Sequence, residues 1–187
     1  MNRREAVQHI SLLLGGTIVG STFFLSGCKT ETKVTKEFTD EDAILLDEVS
    51  DTILPPTKTP GAKAAEVGKF MVVMVNDCYT ADDQKVFHEG IKELNDAADK
   101  KYNTSFVKLT PEQRHEFLVS LDNEQKDYMK NKKKEDPSHY FRMMKELTLL
   151  GYFTSKIGCT QALRYIETPG RYDGCVPYAK GDKAWAS

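Results

Sequence analysis

A chain of 187 residues and 21.1 kDa lies in the size range of a single folded domain. With 40% apolar and 29% charged residues it can bury one core, which excludes disorder over its whole length. A net charge of −2 and a pI near 6.1 exclude the basic face that nucleic acid requires. The four cysteines show neither the CxxC pairs of a zinc site nor the CxxCH of a haem attachment. GxGxxG, P-loop, GxSxG and HExxH signatures are absent as well. No catalytic, cofactor-binding or metal-binding residue is therefore expected in this chain.

Residues 1–27 read as an export signal. Arg3 and Arg4 open the chain, an apolar run from Ile10 to Leu25 follows, and small residues precede Cys28. The arginine pair matches the twin-arginine pattern of signals for folded cargo; Asn2 and Ala6 depart from the fuller form of that pattern. Leu25-Ser26-Gly27-Cys28 resembles a complete lipobox, so Cys28 is expected to carry lipid and become the new N-terminus. Two acyl signals suffice for stable anchoring. The alternative is an uncleaved membrane helix, which Gly15, Gly16 and Gly20 dilute and whose length is barely sufficient. Residues 28–38 are then a tether and 39–187 the folded domain, on the periplasmic side of the envelope.

Beyond Thr39 the apolar spacing is helical. Thr39 caps a first turn of Asp40, Glu41 and Asp42, and Leu46, Val49 and Ile53 follow before Pro55-Pro56 ends the run. A second helix is expected from about 63 to 79, with Ala64, Val67, Met71, Met74 and Cys78 as its stripe. Phe70, Val72, Val73 and Val75 make it apolar nearly all round, so it is expected to be the most buried. Thr80 and Asp83 start a third helix carrying Phe87, Ile91, Leu94 and Ala98. Thr110-Pro111-Glu112-Gln113 is a capping box for a fourth, with Phe117, Leu118 and Leu121 inside. The charged stretch 130–135 marks a solvated helix end. A fifth helix after Pro137 buries Tyr140, Met144, Leu147 and Leu150, and continues or restarts beyond Gly151. The last twenty residues are rich in proline, glycine, tyrosine and tryptophan and argue for an extended, packed tail. The fold class is all-α: an irregular bundle of five to six helices with an aromatic-rich C-terminal tail.

His88, His115 and His139 fall on separate helices and His9 in the signal, none with a partner at i+3 or i+4, which argues for surface histidines. Met71, Met74, Met143 and Met144 read as core filler. With Cys28 lipidated, Cys78, Cys159 and Cys175 remain in an oxidising compartment. Cys159–Cys175 would close a short loop, and Cys78–Cys175 would staple the tail to the second helix. The second pairing is expected, because it explains how a glycine-rich tail stays ordered.

Five segments are familiar together. They are Ile53-Leu-Pro-Pro-Thr-Lys-Thr-Pro-Gly-Ala-Lys-Ala-Ala65, Asn76-Asp-Cys-Tyr79, Gly158-Cys-Thr-Gln-Ala-Leu-Arg-Tyr165, Pro169-Gly-Arg-Tyr-Asp-Gly-Cys175 and Lys183-Ala-Trp185. They resemble the gluconate 2-dehydrogenase subunit 3 family. The resemblance implies a small, non-catalytic subunit that helps export and mature a large FAD-containing dehydrogenase subunit of the glucose-methanol-choline type; the lipobox, not general to that family, implies that this member also anchors the complex. The resemblance further implies electrons leaving through a c-type cytochrome. Aromatics and arginine dominate interface energies, so Tyr165, Arg171, Tyr172 and Trp185 are expected at the flavoprotein contact. The alternative is a free-standing periplasmic lipoprotein that binds a ligand or another envelope protein.

Overall fold

The computed structural model describes residues 37–186, positions 169 and 173 apart. Arg3, Arg4, His9 and Cys28, with the apolar run 10–25 and the stretch 29–36, lie outside the described residues, and so do the expected signal and lipid site. Five α-helices follow one another: α1 (Asp40–Ile53), α2 (Val67–Cys78), α3 (Ala81–Tyr102), α4 (Pro111–Asn131) and α5 (Tyr140–Thr154). Short 3-10 turns occupy Lys63–Ala65 and Phe106–Lys108, and a π-helical turn spans Gly158–Ala162. Among the described residues there is no strand, only an isolated bridge between Arg164 and Trp185. The expected all-α bundle is what the chain forms. No described helix is long and apolar enough to cross a membrane.

The helix starts are built from side chains close in sequence. The Thr39 hydroxyl accepts from the Asp42 backbone N–H at 3.1 Å, and the Asp42 carboxylate accepts from the Thr39 N–H at 2.9 Å. Thr110 and Gln113 repeat the arrangement at α4, with Pro111 in the first helical position. Thr80 caps α3 by accepting from the Asp83 N–H at 3.2 Å. Each such cap satisfies a backbone donor that the helix itself leaves open and contributes about 1 kcal/mol.

The second helix departs from the expected one. Instead of running from 63, the chain makes a 3-10 turn, passes through Glu66 in the left-handed region (φ 52°, ψ 41°), and begins α2 only at Val67. The cause lies in α1. The Asp47 carboxylate accepts from the Gly68 N–H at 2.8 Å, and the helices cross so closely that a Cβ at Gly68 would meet the Ala43 carbonyl oxygen at 2.5 Å. The turn at Glu66 rotates the helix so that Val67, Met71 and Val75 face inward. Ala64 and Cys78 are exposed, and Val73 is 56% exposed. At the other end of α2, the buried Gln84 side chain donates to the carbonyls of Val75, Asn76 and Tyr79 at 3.0–3.2 Å.

The most enclosed helix is α5, which packs against the other four. It buries Tyr140, Phe141, Met143, Met144, Leu147, Thr148, Gly151 and Tyr152. Leu150, expected inside, is exposed together with Leu149 and Phe153. The polar groups on the buried face are satisfied: Thr148 donates to the Met144 carbonyl at 2.7 Å, and the Tyr152 hydroxyl to the Pro60 carbonyl at 2.7 Å. That last bond ties the end of α5 to the proline-rich turn after α1.

Candidate functional site

The bundle core ends at Tyr152, and the chain beyond it is organised differently. Ser155 ends α5: its hydroxyl donates to the Tyr152 carbonyl at 2.7 Å and accepts from the Gly158 N–H at 3.0 Å. After the π-helical turn, Arg164 meets residues 183–186 returning from the C-terminus. Its N–H donates to the Ala184 carbonyl and its carbonyl accepts from the Ala186 N–H, both at 2.8 Å. Its Nε donates to the Lys183 carbonyl at 2.6 Å, and its guanidinium lies over the Trp185 ring, 4.5 Å from the centroid. Lys183 Nζ in turn donates to the Gln161 carbonyl. Just before the chain returns to the neck, the Asp182 carboxylate accepts from the Ala179 N–H at 2.9 Å. The tail is thus a loop closed at its neck.

Arg171, Tyr172 and Trp185 line one groove of about 800 Å³ on this loop, together with Ile166 and Val176. Tyr172 is 96% exposed, so its ring is almost wholly presented to solvent. Of the thirteen exposed large hydrophobic side chains among the described residues, nine lie between 149 and 185. Four of these, Ile166, Tyr172, Val176 and Trp185, line the one groove. Two other hollows of similar size lie on the bundle, one between α1 and α3 and one beside His139. Both include several charged side chains, among them Glu41, Asp42, Lys92 and Asp96 in the first and Glu93, Glu124 and Asp136 in the second.

The residues singled out in the sequence fall as follows. Arg171, Tyr172 and Trp185 share the groove, and Tyr165 is exposed next to the neck without lining it. The expected Cys78–Cys175 bridge is not formed: Cys78, Cys159 and Cys175 are all free thiols. Cys78 is exposed at the end of α2, and the Cys159 thiol donates to the Phe153 carbonyl at 3.1 Å. The neck contacts of Arg164 hold the tail in place of a disulfide. Arg164, which nothing in the local sequence pattern singles out, is the residue that closes the neck. Among the described residues no three His, Cys, Asp or Glu side chains are grouped to hold a metal. His88 stacks on Phe38 with centroids 4.0 Å apart, and His139 caps α5.

The ionisable clusters serve the bundle. Glu48 of α1 pairs with Lys63 and with Arg114 of α4. Burial works to raise the Glu48 pKa, but the two cations outweigh it and hold the carboxyl below its ordinary value. Asp122 of α4 pairs with Lys126 and with Lys145 of α5. There too burial opposes ionisation, and Lys126, Lys145 and Gln125 bring the pKa down to about 2. These pairs clamp α1 to α4 and α4 to α5. They join helices that sequence separates widely.

The described residues define an all-helical protein whose most developed surface feature is a closed aromatic loop. Residues 40–170 match the family described as Gluconate 2-dehydrogenase subunit 3, and the chain belongs to that family. The match ends one residue before Arg171, so Tyr172, Cys175 and Trp185 lie beyond it. Comparison with curated proteins and with solved structures gives no match.

Proposed function

We propose that this chain is the small, non-catalytic accessory subunit of a periplasmic sugar or sugar-acid dehydrogenase. Its partner is a large FAD-containing subunit of the glucose-methanol-choline type, and electrons leave through a c-type cytochrome. Membership of a family described as a dehydrogenase subunit carries this reading. The exposed Tyr165, Tyr172 and Trp185 beside Arg171 support the loop as the contact with the flavoprotein, because such side chains dominate interface energies. Arg3 and Arg4 address the folded pair for export, and lipid on Cys28 holds it at the membrane on the periplasmic side.

Purification of the full, lipid-bearing chain from membranes tests the reading. The expected outcome is co-purification of a large yellow subunit with the absorption of bound flavin. Recovery of the chain alone, at native abundance and in mild detergent, would favour the free-standing lipoprotein instead.

A further inference from the structure

The neck of the loop concentrates its contacts on one residue. Arg164 makes two backbone hydrogen bonds, one side-chain hydrogen bond and one ring contact, all to residues 183–186. None of these partners belongs to the helical core. Between them the chain contains left-handed glycines at 170 and 181 and makes few contacts with the bundle. Left open, such a segment would sample many conformations, and closing it is opposed by an entropy cost that grows with loop length. A partner that had to close the loop on binding would lose that amount from its affinity. A neck already closed removes the loss.

We infer that Arg164 is a positioning residue that holds residues 165–184 closed before docking, so that the flavoprotein meets a preformed surface. This rests on the loop being the contact proposed above. The guanidinium suits the task because it is planar, stacks on an indole face and directs Nε–H along a fixed line. Lysine would keep the charge but neither the plane nor the directed donor. Trp185 serves as the second half of the clasp, and its indole is also part of the groove. The same ring therefore couples neck closure to the shape of the docking surface.

Trp185 is the only tryptophan in the chain, so its fluorescence reads the clasp directly. The experiment compares wild type, Arg164→Gln and Arg164→Lys as full chains in detergent, with circular dichroism as the control for folding. In Arg164→Gln, quenching of Trp185 by neutral acrylamide should rise about twofold as the guanidinium uncovers one face of the ring. Helical content should stay unchanged, and Arg164→Lys should fall between the two. Dissociation of the flavoprotein from Arg164→Gln should be about tenfold faster, since preorganisation and interface contacts act mainly on the off-rate. Unchanged quenching would overturn the clasp. Increased quenching with unchanged partner dissociation would overturn its role in docking. Failure of wild type to carry a flavoprotein would instead overturn the proposed function, and no variant is needed to see it.

Discussion

Gly90 of α3 lies directly beneath Tyr140 of α5, so close that a Cβ at position 90 would overlap the tyrosine Cβ and Cγ and come within 2.7 Å of Cδ2. The crossing of a solvent-side helix over the most buried one is therefore set by the absence of a single methyl group. Helix propensity alone would favour alanine at such a position by roughly 0.5–1 kcal/mol. Overpacking typically costs about 1–3 kcal/mol. Gly90→Ala is thus expected to destabilise the bundle, shifting the urea midpoint downward with little change in slope. A raised midpoint would show that Tyr140 yields freely and that the crossing is not constrained there.

Asp122 gives the first pH prediction. Its folded pKa of about 2 lies below the ordinary 3.8. The ionised carboxylate therefore stabilises the fold above pH 3.8, and that contribution is lost as pH falls through about 2. Asp122→Asn should be less stable than wild type at neutral pH, and the gap should narrow between those two values. Chemical denaturation across the acid range checks it; a gap independent of pH would mean the asparagine defect is steric.

His139 works in the same sense in a higher pH window, through burial rather than ion pairing. Its Nδ1 accepts from the Phe141 N–H at 3.2 Å to cap α5, and burial depresses its pKa below 6.5, with Glu124 and Glu93 opposing. A base whose folded pKa is lowered binds fewer protons folded than unfolded. Stability therefore declines as pH falls through 6.5 toward the folded value, then levels off. His139→Asn keeps a good capping side chain without the titration, and should flatten that decline. His139→Ala should lose about 1 kcal/mol with the cap. Melting temperatures between pH 7 and pH 5 separate the two variants.

Much of the bundle was legible because its signals are local. The caps at Thr39, Thr80 and Thr110 depend on residues three positions away, and Phe87, Ile91, Leu94 and Ala98 mark one face of α3. The split of α2 was not legible, because it answers to Asp47, twenty-one residues earlier. The centrality of α5 was disguised by Thr148 and Tyr152, whose buried hydroxyls are satisfied by the Met144 carbonyl and by the Pro60 carbonyl, the latter ninety-two residues away. Arg171, Tyr172 and Trp185 of the groove stand out by residue type, whereas Ile166 and Val176 do not, and Tyr165 lies outside it. The neck that shapes them was missed because Arg164 and Trp185 are joined across a proline- and glycine-rich stretch that has no periodicity to read.

Export gives the next prediction and rests on the proposed assembly. If Arg3 and Arg4 address a folded pair, replacing both with lysine should leave the flavoprotein in the cytoplasm along with this chain. Fractionation followed by flavin and dehydrogenase assays would detect it. Normal periplasmic appearance of the flavoprotein in that double variant would show that the large subunit travels by its own route.

The tail allows a deletion that the bundle should survive. Residues 176–187 include Tyr178 and Trp185, and none of the described ones belongs to the buried core. Removing them takes away the Trp185 ring from Arg164 and the residues that pair with the Arg164 backbone. The hydrophobic contacts of α1 to α5 stay in place, as do the Glu48–Arg114 and Asp122–Lys145 pairs between helices. Helical circular dichroism and the urea midpoint of the truncated chain should therefore match wild type closely. Recovery of the flavoprotein should fall by about tenfold or more, because both the aromatic contacts and the closed shape of the loop are gone. If the truncated chain unfolds, the tail contributes to the core and the contact surface must be sought on the helices. The exposed Val73, Leu149, Leu150 and Phe153 would then be the first side chains to change.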